Sequence, residues 1–358
     1  MSSTWGNNIR LSIFGGSHTG AIGVVLDNLP PKEKIDLDAV RVQMARRAPG
    51  RDKTATTRLE ADAPQILSGF LDGVTTGAPL AAIIENTNTR SKDYSDLKIH
   101  PRPGHADYTA AIRYQGANDI RGGGHFSGRL TACLVFAGAV CRQILARRGV
   151  TIGAHAYAVG GVADTPFDPV SVSAAELNAL NTRFFAVRDA AAEAKMRAEI
   201  ERARLAADSV GGVIECAAVG VPAGVGSPMF GGIENVFASI LYGIPAVKGV
   251  EFGAGFGVAA MRGSENNDPF YYDADGTVLT RTNHAGGILG GITTGMPIVF
   301  RIAMKPTPSI GVEQQTVDLE AKRDAPLTIH GRHDPCIVPR AIPVAEACAA
   351  IALMDLLR

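Results

Sequence analysis

RPGHADYTAAIRYQGANDIRGGGHFSGRLTA, residues 102–132, is the stretch on which the reading of this chain turns. It gathers His105, Asp107, Arg113, Asn118, Asp119, Arg121, three consecutive glycines, His125, Ser127 and Arg129 within 31 residues. Directly after it, Leu130, Cys133, Leu134, Ala137, Cys141, Ile144 and Leu145 recur at helical spacing, which predicts a helix with one apolar side. Arg147, Arg148 and Gly149 supply the positive charge and the glycine that end such a helix. A glycine-rich turn feeding a helix N-terminus presents unpaired N–H groups and the positive end of the dipole, a ready binder of phosphate. A glycine triplet alone is equally a plain loop. The rest of the chain decides between the two.

Composition sets the frame. The 358 residues suffice for a sizeable core, and 46% hydrophobic with 20% charged residues is ordinary for a globular protein. Lys and Arg total 35 and Asp and Glu total 35, so no global field draws the chain onto nucleic acid or an anionic membrane, and anion chemistry has to be local. Five widely spaced cysteines without a CxxC pair speak against a disulfide framework or thiolate metal site and for a reducing, cytoplasmic compartment. No signal sequence is visible, and no apolar run reaches the roughly 18 residues a membrane span needs. The 41 glycines fall in clusters, the pattern of tight turns and close backbone–ligand approaches.

Along the chain, residues 8–27 read as two strands around the turn GGSHTG, with His18 at its tip as a candidate proton donor. Asp36 is the expected cap of a short helix carrying Leu37, Val40 and Met44, stopped by Pro49 and Gly50. Around that stop lie Arg41, Arg46, Arg47, Arg51, Lys53 and Arg58, either a solvated face or guanidinium groups closing on a phosphate. Residues 80–84 read as a strand, 189–207 as a largely exposed helix, 211–221 and 298–304 as strands, and 342–357 as a helix with Pro343 in its first turn. SENNDPFYYDADG, residues 264–276, reads as an exposed loop, and residues 150–187 give no clear signal. Polar clusters suited to one site come from both ends of the chain, which favours one interleaved α+β domain over two separate ones.

The chemistry-bearing residues left by this pass are few. Lys305, Thr307 and Ser309 offer one charge and two hydroxyls between stiffening prolines. Asp334 sits beside Arg332 and His333 as a base or acceptor, and the spacing of His330, His333, Asp334 and Cys336 lacks a metal-ligand pattern. There is no GxSxG elbow, no P-loop and no strand–GxGxxG–helix unit. Loop histidines, arginines and a late aspartate suit acid–base chemistry at a phosphate ester, a histidine protonating the departing oxygen while arginines absorb charge.

GGSHTG (15–20), RLEADAPQILSG (58–69), TTGAPL (75–80), ENTNTRSKDY (85–94), RPGHADYTA, RYQGANDIRGGG, GVPAGVGSPMF (220–230), AVKGVEFG (246–253), RGSENND (262–268), NHAGGILGGITTG (283–295), KPTPSI (305–310) and GRHDPC (331–336) follow one another in family order. Together they resemble the chorismate synthase family over nearly the whole chain. The resemblance implies a single-domain α+β sandwich of antiparallel sheets and helices over residues 1–358, assembled as a homotetramer. It implies 1,4-anti elimination of phosphate from 5-enolpyruvylshikimate-3-phosphate to chorismate, the last step of the shikimate pathway. Reduced FMN is implied as cofactor, lending an electron and taking it back. Carried over by position, His18 protonates the leaving phosphate, His105 protonates or polarises the flavin, and Asp334 works in removing the ring proton. Arg47, Lys53, Arg129 and Arg340 fall at substrate- and phosphate-binding positions. His125, Phe126, Ser127, Ala246, Gly290, Lys305, Pro306, Thr307, Pro308, Ser309 and Arg332 fall at flavin-binding ones.

Two departures stand out. Many members carry Arg-Ser-Ser-Ala-Arg after the glycine triplet, where this chain has His125-Phe126-Ser127-Gly128-Arg129, so His125 takes the place of a phosphate-binding arginine. Pro245 replaces a common asparagine and removes a side-chain amide and a backbone donor. No flavin-reducing domain is recognisable, which implies the monofunctional type, supplied with reduced flavin from an external source. Two other classes remain as alternatives: a flavin-binding protein without turnover, and a nucleic-acid binder using the run from 41 to 58. Net neutrality and only 6% aromatic residues weigh against the second.

Overall fold

The computed structural model describes residues 3–50, 52, 54, 60–87, 96–329 and 333–357. Lys53 and Arg332, two of the expected ligand contacts, lie outside the described residues, as do His330, Arg51 and Arg58. Eight α-helices are described: α1 (Leu37–Arg47), α2 (Asp107–Arg113), α3 (Thr131–Arg147), α4 (Ala174–Leu180), α5 (Ala190–Leu205), α6 (Ile233–Leu241), α7 (Gly263–Asn266) and α8 (Val338–Leu356). The α1 cap forms as its sequence predicts, with the Asp36 carboxylate accepting from the Asp38 N–H at 2.8 Å. Asp189 caps α5 in the same way, and the Glu193–Arg197 pair forms at 2.8 Å on a helix that buries only Ala192, Met196, Ile200 and Ala203.

Two five-stranded antiparallel sheets flank the central helices. The first runs in the order Thr4–Trp5, Arg10–Gly15, Ala21–Asp27, Leu80–Glu85, Pro64–Ser68. The second runs Val247–Phe252, Ile298–Met304, Gly212–Val219, Thr151–Val159, Val162–Ala163. Helix α3 packs on the first sheet and α8 on the second, with α1 touching both helices. One hydrophobic cluster accordingly extends from Ile9 to Met354 and draws on both sheets. Ile214, Glu215, Cys216, Ala217 and Ala218 are buried in succession because their strand lies between covered faces, which is why it reads as a run and not as an alternation.

The structure revises several sequence expectations. Helix α3 is not one-sided: every residue from Thr131 to Cys141 is buried, as a helix enclosed by neighbours on all sides requires. The stretch Gly128–Arg147 is long and apolar enough to cross a membrane by composition, but 83% of an apolar 18-residue window within it is buried inside the protein. At Gly138 the α3 backbone meets α8 so closely that a Cβ would lie 2.3 Å from the Ala347 Cβ, so only glycine permits that crossing. Helix α8 begins at Val338, four residues before the expected start, and carries Pro343 inside it. Pro343 is the sixth residue of α8, beyond the first turn, so it removes one intrahelical donor, the N–H that would have reached the Pro339 carbonyl. Residues 264–276 are not simply a loop: α7 and the hairpin of Phe270–Tyr272 with Val278–Thr280 occupy them. The uninformative stretch 150–187 contains the longest strand of the second sheet and α4. Helix α2, within the opening stretch, had no sequence signal strong enough to predict it.

Candidate active site

A cavity of about 610 Å³ opens where seven separate parts of the chain meet. Its wall takes Arg47 from the end of α1, Glu60 from the segment before the first sheet's edge strand, and Arg102 to Ala106 from the approach to α2. Residues of the glycine loop from Gly122 to Arg129, Pro245 and Ala246, and Lys305, Thr307, Pro308 and Ser309 continue it. His333, Asp334 and Arg340 close it from the start of α8. A volume of this size lies within the roughly 300–1,000 Å³ of small-molecule sites.

His105 is held in the wall through one ring nitrogen. Its Nδ1 lies 2.6 Å from Asp107 Oδ1. Asp107 in turn accepts from Arg102 Nε at 2.7 Å, Arg102 Nη2 at 2.8 Å and the Arg102 backbone N–H at 3.0 Å. Burial opposes the charge on Asp107, but the hydrogen bonds and positive charge of Arg102, joined by His105, hold its carboxyl well below the usual carboxylate range. An ionised carboxylate only accepts, so Nδ1 carries the proton and donates it. Arg102 Nη2, 3.1 Å from the same Nδ1, therefore has no lone pair to bond there. Nε2 has no hydrogen-bond partner among the described residues and lies where a Cβ on Gly123 would come within 3.1 Å.

The glycine triplet is explained by these approaches. Gly122, Gly123 and Gly124 have φ of 64°, 101° and 52°, a left-handed run that side chains resist. A Cβ on Gly122 would lie 2.2 Å from His18 Cε1, and one on Gly124 would lie 2.1 Å from the Asp119 carbonyl oxygen. His18 thus sits behind Gly122, next to the cavity but outside its described lining. Ser17 donates its hydroxyl to the Arg121 carbonyl at 3.1 Å and lies 3.1 Å from His18 Nδ1, so Nδ1 is the donor of that second contact. The triplet does not open α3 directly. Turns at Arg121–Phe126 and Gly128–Leu130 intervene, the second capped by Ser127, whose hydroxyl accepts from the Arg129 N–H at 3.2 Å.

The basic groups come with their own counter-ions. Arg47 and Arg129 both pair with the buried carboxylate of Asp62. Arg129 also reaches Glu60 at 3.1 Å and Asn86 Oδ1 at 2.9 Å, and Arg47 reaches the Thr131 hydroxyl at 3.1 Å. Burial works against the Asp62 charge, yet the two guanidinium groups outweigh it and keep its carboxyl below the ordinary value. Arg340 pairs with Asp334 at 2.5 Å and donates to the Arg47 carbonyl at 3.0 Å. Asp334, expected beside Arg332 and His333, is thus held by a residue six positions on, one helical turn into α8.

The flavin-position residues divide. Lys305 bonds the Gly104 carbonyl, and Ser309 accepts from Arg102 Nη1 at 3.1 Å. Burial, reinforced by the ammonium of Lys248, pushes the Lys305 pKa below the usual lysine value. Thr307 Oγ1 is buried without a hydrogen-bond partner among the described residues, an arrangement that leaves an acceptor and donor for a ligand. His125 is already spent within the chain: Nδ1 donates to the Gly15 carbonyl at 2.7 Å and Nε2 meets Ser3 Oγ at 2.6 Å. Phe126 stacks edge-on with Tyr114 at 6.1 Å. Ala246 lines the cavity, Pro306 lies between two lining residues, and Gly290 sits on an exposed turn outside the lining.

The family model described as chorismate synthase matches residues 9–357. This chain belongs to the chorismate synthase family. A chorismate synthase of Thermococcus kodakarensis is 47% identical over 350 residues, covering 98% of this chain and 96% of that protein. One from Pyrococcus abyssi is 48% identical over 350 residues with the same coverages, and one from Methanocella arvoryzae is 46% identical over 353 residues, covering 99% and 93%. A crystal structure of chorismate synthase superposes with a TM-score of 0.76 at 26% identity, covering 99% of this chain and 92% of that one. The α+β sandwich is therefore the chorismate synthase fold.

Within that fold the sequence reading missed the acidic half of the site. Asp62, Glu60 and Asp107 stand in the quoted blocks RLEADAPQ and RPGHAD, and only the folded chain shows which cations they neutralise. The one local signal was the close spacing of Arg102, His105 and Asp107.

Proposed function

We propose that this chain catalyses the chorismate synthase reaction, the 1,4-anti elimination of phosphate from 5-enolpyruvylshikimate-3-phosphate, with reduced FMN and no net redox change. It acts as a carbon–oxygen lyase of the monofunctional type, a single-domain protein working as a cytoplasmic homotetramer on flavin reduced elsewhere. The observation that carries the reading is the meeting, in one cavity wall, of His105, Asp334, Arg340, Lys305 and Thr307 with its unpaired buried hydroxyl. The residues present fit a flavin phosphate: Lys305 supplies charge, Thr307 and Ser309 supply hydroxyls, and Ala246 and Pro245 supply an apolar edge. His125 does not act as a phosphate ligand on this reading, since both its ring nitrogens are engaged within the chain.

Reduced FMN, when bound, supplies an electron transiently and regains it. The chain's own groups do the rest. His105 holds or delivers a proton at Nε2, its Nδ1 being committed to Asp107. Arg47, Arg129 and Arg340 absorb the charge that grows on the departing phosphate, Asp62 and Glu60 keeping the first two ordered without a ligand and Asp334 the third. His18 protonates that phosphate from behind Gly122. Asp334 takes part in removing the ring proton, its carboxylate oriented by Arg340. Anaerobic assay with reduced FMN and the enolpyruvyl substrate should release phosphate and chorismate in equal amounts. Folded protein that gives neither product overturns the proposal.

A further inference from the structure

We propose that Asp107 is a positioning residue for His105: it fixes the ring in the Nδ1–H tautomer so that Nε2 is the nitrogen presented to the cavity, and through Arg102 it ties that orientation to Ser309. The proposal rests on reading His105 as a proton-carrying group of this site. Arg102 is a rigid plate between two partners. Its Nε and Nη2 grip the two oxygens of Asp107 at 2.7 and 2.8 Å, while Nη1 donates to Ser309 Oγ at 3.1 Å. Arg102, Asp107 and Ser309 are all buried, so neither the plate nor the carboxylate can rotate into water without leaving a charge unpaired. The planar fork transmits orientation because its donors cannot move independently. A ligand group that engages Ser309 therefore bears on the same assembly that orients His105.

Arg102 alone would satisfy Asp107, which already accepts three bonds from that residue. The fourth contact, 2.6 Å to His105 Nδ1, is what a purely structural carboxylate would not need. Gly123 completes the arrangement from the opposite side by leaving room at Nε2. The charged groups facing His105 are Asp107 and Arg102 from its own segment and Lys305, bonded to the Gly104 carbonyl, from the exit of the second sheet. From the glycine loop, Gly123 is the residue whose backbone comes up against the ring.

Histidine-selective 15N labelling of the full-length protein tests this, with His105→Gln identifying the resonance. Neutral His105 in the unsubstituted protein should show Nδ1 protonated and Nε2 bare; the reverse tautomer overturns the proposal, and this measurement needs no variant at Asp107. In Asp107→Asn the Nδ1–H preference should collapse to a mixture of tautomers. kcat should fall about 10–100-fold, the usual cost of losing a partner that orients an imidazole, with KM changed by less than about twofold. Asp107→Glu should restore the tautomer and part of kcat. A folded Asp107→Asn protein with unchanged tautomer overturns the proposal. If the protein proves not to form chorismate, the tautomer measurements still decide the role of Asp107 separately from the proposed reaction.

Discussion

Two histidine–aspartate pairs in this protein have nearly the same length and opposite characters. His105 Nδ1 lies 2.6 Å from Asp107, and His155 Nδ1 lies 2.8 Å from Asp164. What separates them is the other nitrogen. His155 Nε2 meets Glu215 at 3.0 Å, and the ring is 0% exposed, packed edge-on against Phe167 at 4.6 Å. His105 keeps 16% of its side chain exposed and turns Nε2 to the cavity. Burial opposes a charge on His155, but its hydrogen bonds to Asp164 and Glu215 and their charges outweigh that and raise its pKa above the ordinary 6.5. Two carboxylates with one ring between them make an imidazolium that has nowhere to pass a proton. A histidine–carboxylate contact thus marks a functional site only when one ring nitrogen stays open to a ligand.

The largest effect that would sharpen this contrast is on turnover. His105→Ala should lower kcat by about 10²–10⁴, the range for losing a general acid or base, while His155→Leu should leave kcat per folded molecule within about threefold of the unsubstituted enzyme. Near-normal turnover in His105→Ala would break the comparison. On stability the order reverses. His155→Leu takes the ring from between Asp164 and Glu215 and should cost about 3 kcal/mol, read from urea unfolding, the low end for uncovering a buried charge because Glu215 keeps Arg301 at 2.8 Å. A cost below about 1 kcal/mol would mean that the buried imidazolium holds nothing together.

The pH dependence of unfolding follows from the same pair with a definite sign. Since the folded-state pKa of His155 is raised, its contribution is complete below 6.5 and is lost as pH rises through the folded value. The carboxyls of Asp164 and Glu215 are shifted the other way: burial opposes their charge, but the hydrogen bonds from His155 and from backbone N–H groups lower them. Their contributions are complete above 3.8 and 4.5 and are lost as pH falls through their folded values. In His155→Leu, stability should lose the part of its alkaline decline that this group causes; an unchanged slope would place the titration elsewhere. The smallest effect is expected at Gly123→Ala. With φ of 101° and a Cβ 3.1 Å from His105 Nε2, it should cost about 1 kcal/mol or more in stability and lower kcat by more than an exposed-loop substitution at Gly161, which has φ of 87° and open space.

Legibility varied with the range of the interaction. The strand pair around GGSHTG, the Asp36 cap, the helix from Asp189 and the glycine-ended α3 were readable because each depends on residues a few positions apart. His105, Asp334 and Lys305 were readable from the blocks that resemble the family, and one cavity collects them. The counter-ions were not. Asp62 lies 15 positions from Arg47 and 67 from Arg129, and Glu346 lies 300 from Arg46, which it meets at 2.5 Å inside the helical layer. His155 fell in the stretch that gave no signal, because its second carboxylate, Glu215, belongs to a neighbouring strand.

By itself the sequence determined the local conformations and the inventory of chemical groups: which turns need glycine, where helices are capped, which imidazoles and guanidinium groups are available. It also determined the family, through blocks kept in order along 9–357. Only the tertiary structure decided how the charges are partnered, and so which histidine is open and which arginines rest on a carboxylate. The reason is physical. Backbone preference is set by neighbours along the chain, whereas a buried ion pair is chosen by proximity in space, where an unpaired charge in the interior is too costly to leave and the nearest opposite charge can come from any distance in sequence.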